Sequence, residues 1–384
     1  MHTLFEKRVI EFQTRLADEK IDMALVYDAD NIYYLSAFWG YLGMDFGRPT
    51  MAIVPKSGSP TLITPGMEAE MARAMTWIED IREWTDGVDG EWMACLNDLL
   101  KSGQNLNIGI ETIKTHPMIL EYLRREFPGI KLIDISDILA DMRMVKDAEE
   151  IKVMRQAGQV AVAMCQGGMS AIAEGVPEYE IALAVIAGGT RKAAEYLSAE
   201  GTDRLVSPTI YNLQVLQSGH DLSMVHRRST VRRIQQGDPV YMCFCGMANF
   251  KQFKLGFDRE YFVGTVTDEH ARLYEIALKA QAEALKMIRP GVIAEDVHAA
   301  SLEVYREAGF GICYRSGRGI GYSFLEKPEL KDGDKTPLQP GMTFAVDGGI
   351  AIPKEFGARV GDSIVVTENG YDYLTPFPKE LRIL

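Results

Sequence analysis

The sequence predicts an α+β protein in two domains, a smaller α/β domain over residues 1–143 and a larger domain over 144–384. Three observations carry this expectation. In the first third, short apolar runs of strand composition alternate with segments of helical spacing. Near residue 147 an acidic helix start breaks that alternation. Beyond it, one helix–helix–strand–strand pattern occurs twice.

In chain order, MALVY (23–27), TMAIVP (50–55), PTLIT (60–64) and NIGI (107–110) are apolar runs of strand length. GMEAEMARAM (66–75) and HPMILEYLRREF (116–127) have helical spacing, and alternation of this kind indicates an α/β layer. Asp147, with Glu150 three residues on, forms a capping-box start for a helix with apolar residues at Ile151, Met154, Ala157, Val160 and Val162. A second helix follows Gly175-Val176, then strands over 239–247 and 260–264. The pattern restarts at 267–288, passes the equivalent Gly291-Val292, and gives strands over 343–350 and 363–367. A duplicated unit of this kind predicts a site where strands of its two halves meet.

Acidic residues outnumber basic ones, 54 to 41, so the net charge of −13 disfavours nucleic acid and acidic membranes as partners. No apolar run approaches the roughly 20 residues of a membrane helix, and MHTLFEKRVIEF lacks the apolar core of a secretion signal. A cytoplasmic protein is the expectation. The odd, scattered set of five cysteines argues for reduced thiols. Cys243 and Cys245 would share one face of a strand as small buried residues, and no further ligands for a zinc clip lie nearby.

Four segments carry a family resemblance: GDPVYMCFCGM (237–247) with REYFVG (259–264), YRSGRGIGYSF (314–324), LQPGMTFAVDGGI (338–350) and GARVGDSIVVTENG (357–370). In this order they resemble the creatinase, prolidase and methionine aminopeptidase superfamily, which implies its pita-bread fold for the larger domain and a creatinase-type N-terminal domain before it. Metal-dependent members hold two ions with two Asp, one His and two Glu. Those positions fall here on Cys243, Gly256, Arg318, Asp347 and Gly361, a set that implies no metal and no other cofactor. WGYLGMDFGRPTMAIVP (39–55), with Phe46, Gly47 and Arg48, and LQSGHDLSMVHRRST (216–230) resemble creatinase more narrowly. The resemblance assigns His226 as the catalytic histidine. It also implies a homodimer in which Arg48 reaches the neighbouring subunit's site.

On this reading His226 takes a proton from water and returns it to a leaving nitrogen. Asp258 and Asp347 hold a cationic group by charge-assisted hydrogen bonds, unless Asp258 is a surface ion pair with Arg259. Arg48, Arg318 and Arg359 are candidates for a substrate carboxylate, and Phe46, Tyr322 and Glu326 complete the candidate pocket. For Glu326 the alternative is a solvated carboxylate. The expected activity is metal-independent, creatinase-like hydrolysis of a C–N bond in a small zwitterionic substrate, guanidino, amidino or cyclic. A non-catalytic binding protein is the alternative, and an Xaa-Pro peptidase or a lyase on the same fold a weaker one.

Overall fold

A computed structural model describes residues 2–40, 42, 47–100, 105–202, 204–210, 215–244, 250–311 and 315–384. The chain divides into two units, Met1–Met142 and Arg143–Leu384. Among the described residues no helix is long and apolar enough to cross a membrane.

The first unit is built on a six-stranded mixed sheet in the order β4-β3-β2-β1-β5-β6. Its strands are β1 (Met23–Val26), β2 (Met51–Pro55), β3 (Thr61–Pro65), β4 (Asp80–Trp84), β5 (Asn107–Ile110) and β6 (Lys131–Asp134). Leu25, Ile53, Ile63 and Ile108 of the inner strands pack with Trp84, Trp92, Leu96 and Leu123 in one apolar core. The two strands with no sequence signal, DIREW and KLID, lie at the sheet edges and, Trp84 apart, are half-buried or exposed. Edge strands tolerate charge, so the apolar pattern that reveals inner strands is absent from them. The helix Pro117–Glu126 starts as its spacing predicts, with His116 Nδ1 accepting the Met118 N–H at 3.2 Å.

The second unit opens with α1 (Ala148–Ala171), which is capped as expected: Asp147 and Glu150 exchange backbone-to-carboxylate bonds of 2.8 Å each. It packs on α2 (Glu178–Glu200) through paired glycines. A Cβ on Gly167 would lie 2.6 Å from the Ala184 carbonyl, and one on Gly188 2.5 Å from that of Ala163. Only glycine lets two helix backbones come this close. The second pair is α3 (Asp268–Met287) and α4 (Ala294–Glu307).

The sheet of this unit runs β11-β10-β12-β13-β9-β8-β7, with β14 (Gly370–Tyr373) also on β13. The first half supplies β7 (Val215–Ser218), β8 (Pro239–Cys243) and β9 (Asp258–Phe262). The second supplies β10 (Gly317–Gly319), β11 (Glu326–Leu330), β12 (Thr343–Ile352) and β13 (Phe356–Thr367). The halves repeat in their hydrogen bonds as well as in order. The Gly175 N–H bonds the Ile234 carbonyl and the Ile234 N–H bonds that of Val176; Gly291, Leu338 and Val292 do the same. Gly175 and Gly291 both have left-handed φ, at +80° and +84°, which explains their recurrence.

The halves meet where β9 and β13 share a single residue pair, Asp258 with Gly361. The next residues in each strand, Arg259 and Asp362, fasten this junction by an ion pair of 2.6 Å, both 1% exposed. Arg259 also donates to the carbonyls of Asp258, Gly361, Phe377 and Pro378 at 2.7–2.8 Å, so all five of its N–H donors are used.

Candidate active site

Side chains two residues apart on a strand share a face, and cross-strand partners sit side by side. Those rules gather the candidate residues of the second unit into rows across the sheet. One row runs Cys243, Asp258, Gly361, Asp347 over β8, β9, β13 and β12. Beside it Tyr241 pairs with Glu260, and Arg359 with Gly349. On the other side Arg318 pairs with Ala345, and Ala345 with Ser363, whose hydroxyl bonds both backbone groups of Gly256.

Asp258 is 4% exposed and not a surface ion pair with Arg259, as the sequence allowed. Consecutive strand residues face opposite ways, so Arg259 serves the junction on the other face. Burial raises the Asp258 proton affinity and the negative charge of Asp347 raises it further, while Arg359, Arg318 and Tyr241 lower it; the balance stands at about 7. A Cβ on Gly361 would lie 2.7 Å from Asp347 Oδ1 and 2.9 Å from Asp258 Oδ2, so both carboxylates converge over the bare glycine.

Arg318, 5% exposed, forms a 2.5 Å ion pair with Asp347, and its guanidinium lies 4.1 Å from the Phe324 ring centroid. Gly256 makes room for it: a Cβ there would lie 3.1 Å from the guanidinium and 2.5 Å from the Ala345 methyl. Arg359 stands with its guanidinium 5.8 Å from the Tyr241 ring, and its backbone N–H donates to Glu260 at 3.0 Å. Two guanidinium groups and two carboxylates therefore share this patch of sheet.

The other candidates divide. Tyr322 is 3% exposed and packs on Phe253, with ring centroids 4.5 Å apart. Glu326 is not solvated: it is buried between Arg143 at 2.5 Å and Lys146 at 2.6 Å. Burial works to raise its proton affinity, but the charges of Lys146 and Arg143 outweigh it and hold the carboxyl at about 2. It fastens the strand around the cis Lys327-Pro328 bond rather than offering a free pocket acid. His226 is exposed and has no hydrogen-bond partner among the described residues. After burial, the groups that act on Asp258 are Asp347, Arg359, Arg318 and Tyr241. Arg227 beside it turns inward to the buried Glu178 at 2.6 Å. Arg48 belongs to the first unit, where it pairs with Asp86 at 2.6 Å. Phe46 lies outside the described residues.

Sequence reasoning missed Tyr241 and Glu260. Period-two counting would have found both: each sits two residues from a candidate on its own strand. The reduced-thiol expectation is corrected at one position. Cys243 is disulfide-bonded; Cys245 and Cys313 lie outside the described residues. Cys95 and Cys165 are free thiols.

Residues 152–368 match the Metallopeptidase family M24, and residues 8–145 match the Creatinase/Prolidase N-terminal domain. The chain belongs to the M24 family, and its two-domain α+β fold with a pita-bread C-terminal domain is the one the resemblance implies. It is 28% identical to the agropine synthesis cyclase of Rhizobium rhizogenes, over 97% of this chain and 96% of that relative. It is also 28% identical to the Xaa-Pro dipeptidase of Pyrococcus furiosus, over 98% of this chain and 99% of the relative. The crystal structure of the prolidase from Pyrococcus horikoshii matches with a TM-score of 0.82 at 25% identity, over 98% of this chain and 99% of that one.

These findings overturn the expected metal-independent, creatinase-like activity. The family is one of metallopeptidases, and several relatives are Xaa-Pro dipeptidases. The coarser expectation, an enzyme of the hydrolases that act on carbon–nitrogen bonds, stands with the family.

The metal pair such a family implies does not fit the side chains present. Cys243 has its sulfur in a disulfide, Gly256 and Gly361 have no donor, and Arg318 brings a cation. Among the described residues no three His, Cys, Asp or Glu come together as a metal site would require.

Proposed function

We propose that this chain hydrolyses the amide carbon–nitrogen bond of a dipeptide-sized, amino-acid-derived substrate, with Asp258 as the proton carrier. The observation that carries this reading is the convergence of the buried Asp258 and the half-buried Asp347 over Gly361, with the Asp258 carboxyl raised to about 7. A carboxyl poised near neutrality can accept a proton from attacking water and deliver it to the leaving nitrogen. Arg318 and Arg359 supply the positive field for charge that develops on the carbonyl oxygen. The relatives named Xaa-Pro dipeptidase support the choice of substrate size.

The test is turnover of an Xaa-Pro and general dipeptide panel, with and without added divalent ions, by wild type and Asp258→Asn. Loss of at least about a hundredfold in kcat on Asp258→Asn supports the reading; unchanged kcat rejects it. A second reading follows from the cyclase relative: the same groups would serve ring closure at an acyl carbon. Product mass separates the two, because hydrolysis adds a water and ring closure loses one.

A cytoplasmic homodimer in which Arg48 completes the neighbouring site is part of this proposal. Mixing inactive Arg48→Ala and Asp258→Asn protomers would restore activity if sites are shared, and would not if each chain is self-sufficient.

A further inference from the structure

The ladder between β9 and β13 stops after one pair, and what replaces the next pair is specific. Continuing the antiparallel register from Asp258 and Gly361 would bring Glu260 opposite Arg359. There the backbones do not pair. The Glu260 side chain accepts the Arg359 N–H at 3.0 Å, in the role of the strand carbonyl the ladder lacks. Glu260 is 2% exposed, and its second oxygen, Oε1, is buried without a hydrogen-bond partner. On its other side it stays in register with Tyr241, whose ring lies under the Arg359 guanidinium. A carboxyl group has been spent where main-chain pairing would ordinarily suffice.

We infer that Glu260 is a positioning residue: its carboxyl wedges β9 and β13 apart and fixes the Arg359 backbone, so that the guanidinium stands over Tyr241 and within reach of Asp258. This inference rests on the proposed function only in what Arg359 then does; the geometry of the wedge is independent of it. Burial raises the Glu260 proton affinity well above the usual carboxylate range, which favours its uncharged form. A neutral amide of the same length can therefore take its place.

The test compares Glu260→Gln, Glu260→Asp and Glu260→Leu by residue-resolved hydrogen exchange and by dipeptide turnover. Gln keeps an acceptor at the same reach. Asp withdraws it by about 1.5 Å, and Leu removes it. The Arg359 amide is expected to exchange at the wild-type rate in Gln, and at least about tenfold faster in Asp and Leu. The β12–β13 amides from 361 to 365 should be unaffected. Leu is not essential, because Asp carries the same contrast if Leu fails to fold. Unchanged Arg359 exchange in the folded Asp variant overturns the inference, as does a loss of protection spread evenly over the sheet. If no dipeptide is turned over by wild type, the proposed function fails while the exchange result still decides the wedge. If turnover is found, Gln should keep kcat near wild type and Asp should lower it.

Discussion

Arg259→Met removes the fastening of the junction that carries the site. The methionine fills much of the same volume, so the change isolates the five hydrogen bonds and the charge. It leaves Asp362 buried, at 1% exposure, with Gln281 at 3.0 Å and Lys379 at 3.4 Å as remaining partners, and it strands the carbonyls of Asp258, Gly361, Phe377 and Pro378. Breaking a buried ion pair from one side costs about 3–5 kcal/mol. Each stranded carbonyl would add about 1 kcal/mol if nothing relaxed, but water can reach those on the C-terminal segment. The expected loss is about 4 kcal/mol, or roughly 10 °C in Tm for a domain of this size. Urea unfolding at pH 7 measures it, and a double-mutant cycle with Asp362→Asn should return a coupling of at least about 2 kcal/mol. A loss below about 1 kcal/mol, or additive effects of the two changes, would refute the claim that this pair holds the halves together.

Three further outcomes are expected. Glu326 has its carboxyl held at about 2, against an ordinary 4.5, so its contribution is present above pH 4.5 and disappears as pH falls toward 2. Glu326→Gln should lose about 3 kcal/mol at pH 7 and close on wild type below pH 2, read by urea unfolding across pH. Asp258 carries the opposite sign: its raised value favours the folded state at low pH, and that preference is lost as pH rises from 3.8 through about 7. Asp258→Asn should therefore gain about 4 kcal/mol at pH 8 and nothing below pH 4, and a destabilised Asn variant at pH 8 would contradict the burial argument. Gly158→Ala would set a methyl 1.8 Å from the Leu374 carbonyl, so a loss of about 2–3 kcal/mol is expected by differential scanning calorimetry.

Much of the fold was legible because periodicity is local. The helix at Asp147, the inner strands of the first unit and the repeat marked by Gly175 and Gly291 follow from spacing and backbone freedom that a few neighbouring residues decide. The edge strands DIREW and KLID were not legible, because their pairing comes from a neighbour and not from their own composition. Family positions located Asp258, Asp347 and Arg318, yet the creatinase-like activity drawn from them did not survive comparison with the Xaa-Pro dipeptidases.

The sequence by itself determined which residue types occupy the sheet junction: two aspartates, two arginines, and glycines where donors would stand. Tertiary structure decided what those residues are. It turned Arg259 away from Asp258, sealed Glu326 between two cations, left His226 in solvent and set Glu260 against the Arg359 backbone. Charge and proton affinity depend on burial and on partners distant in the chain, and those are fixed only when the two halves of the sheet come together.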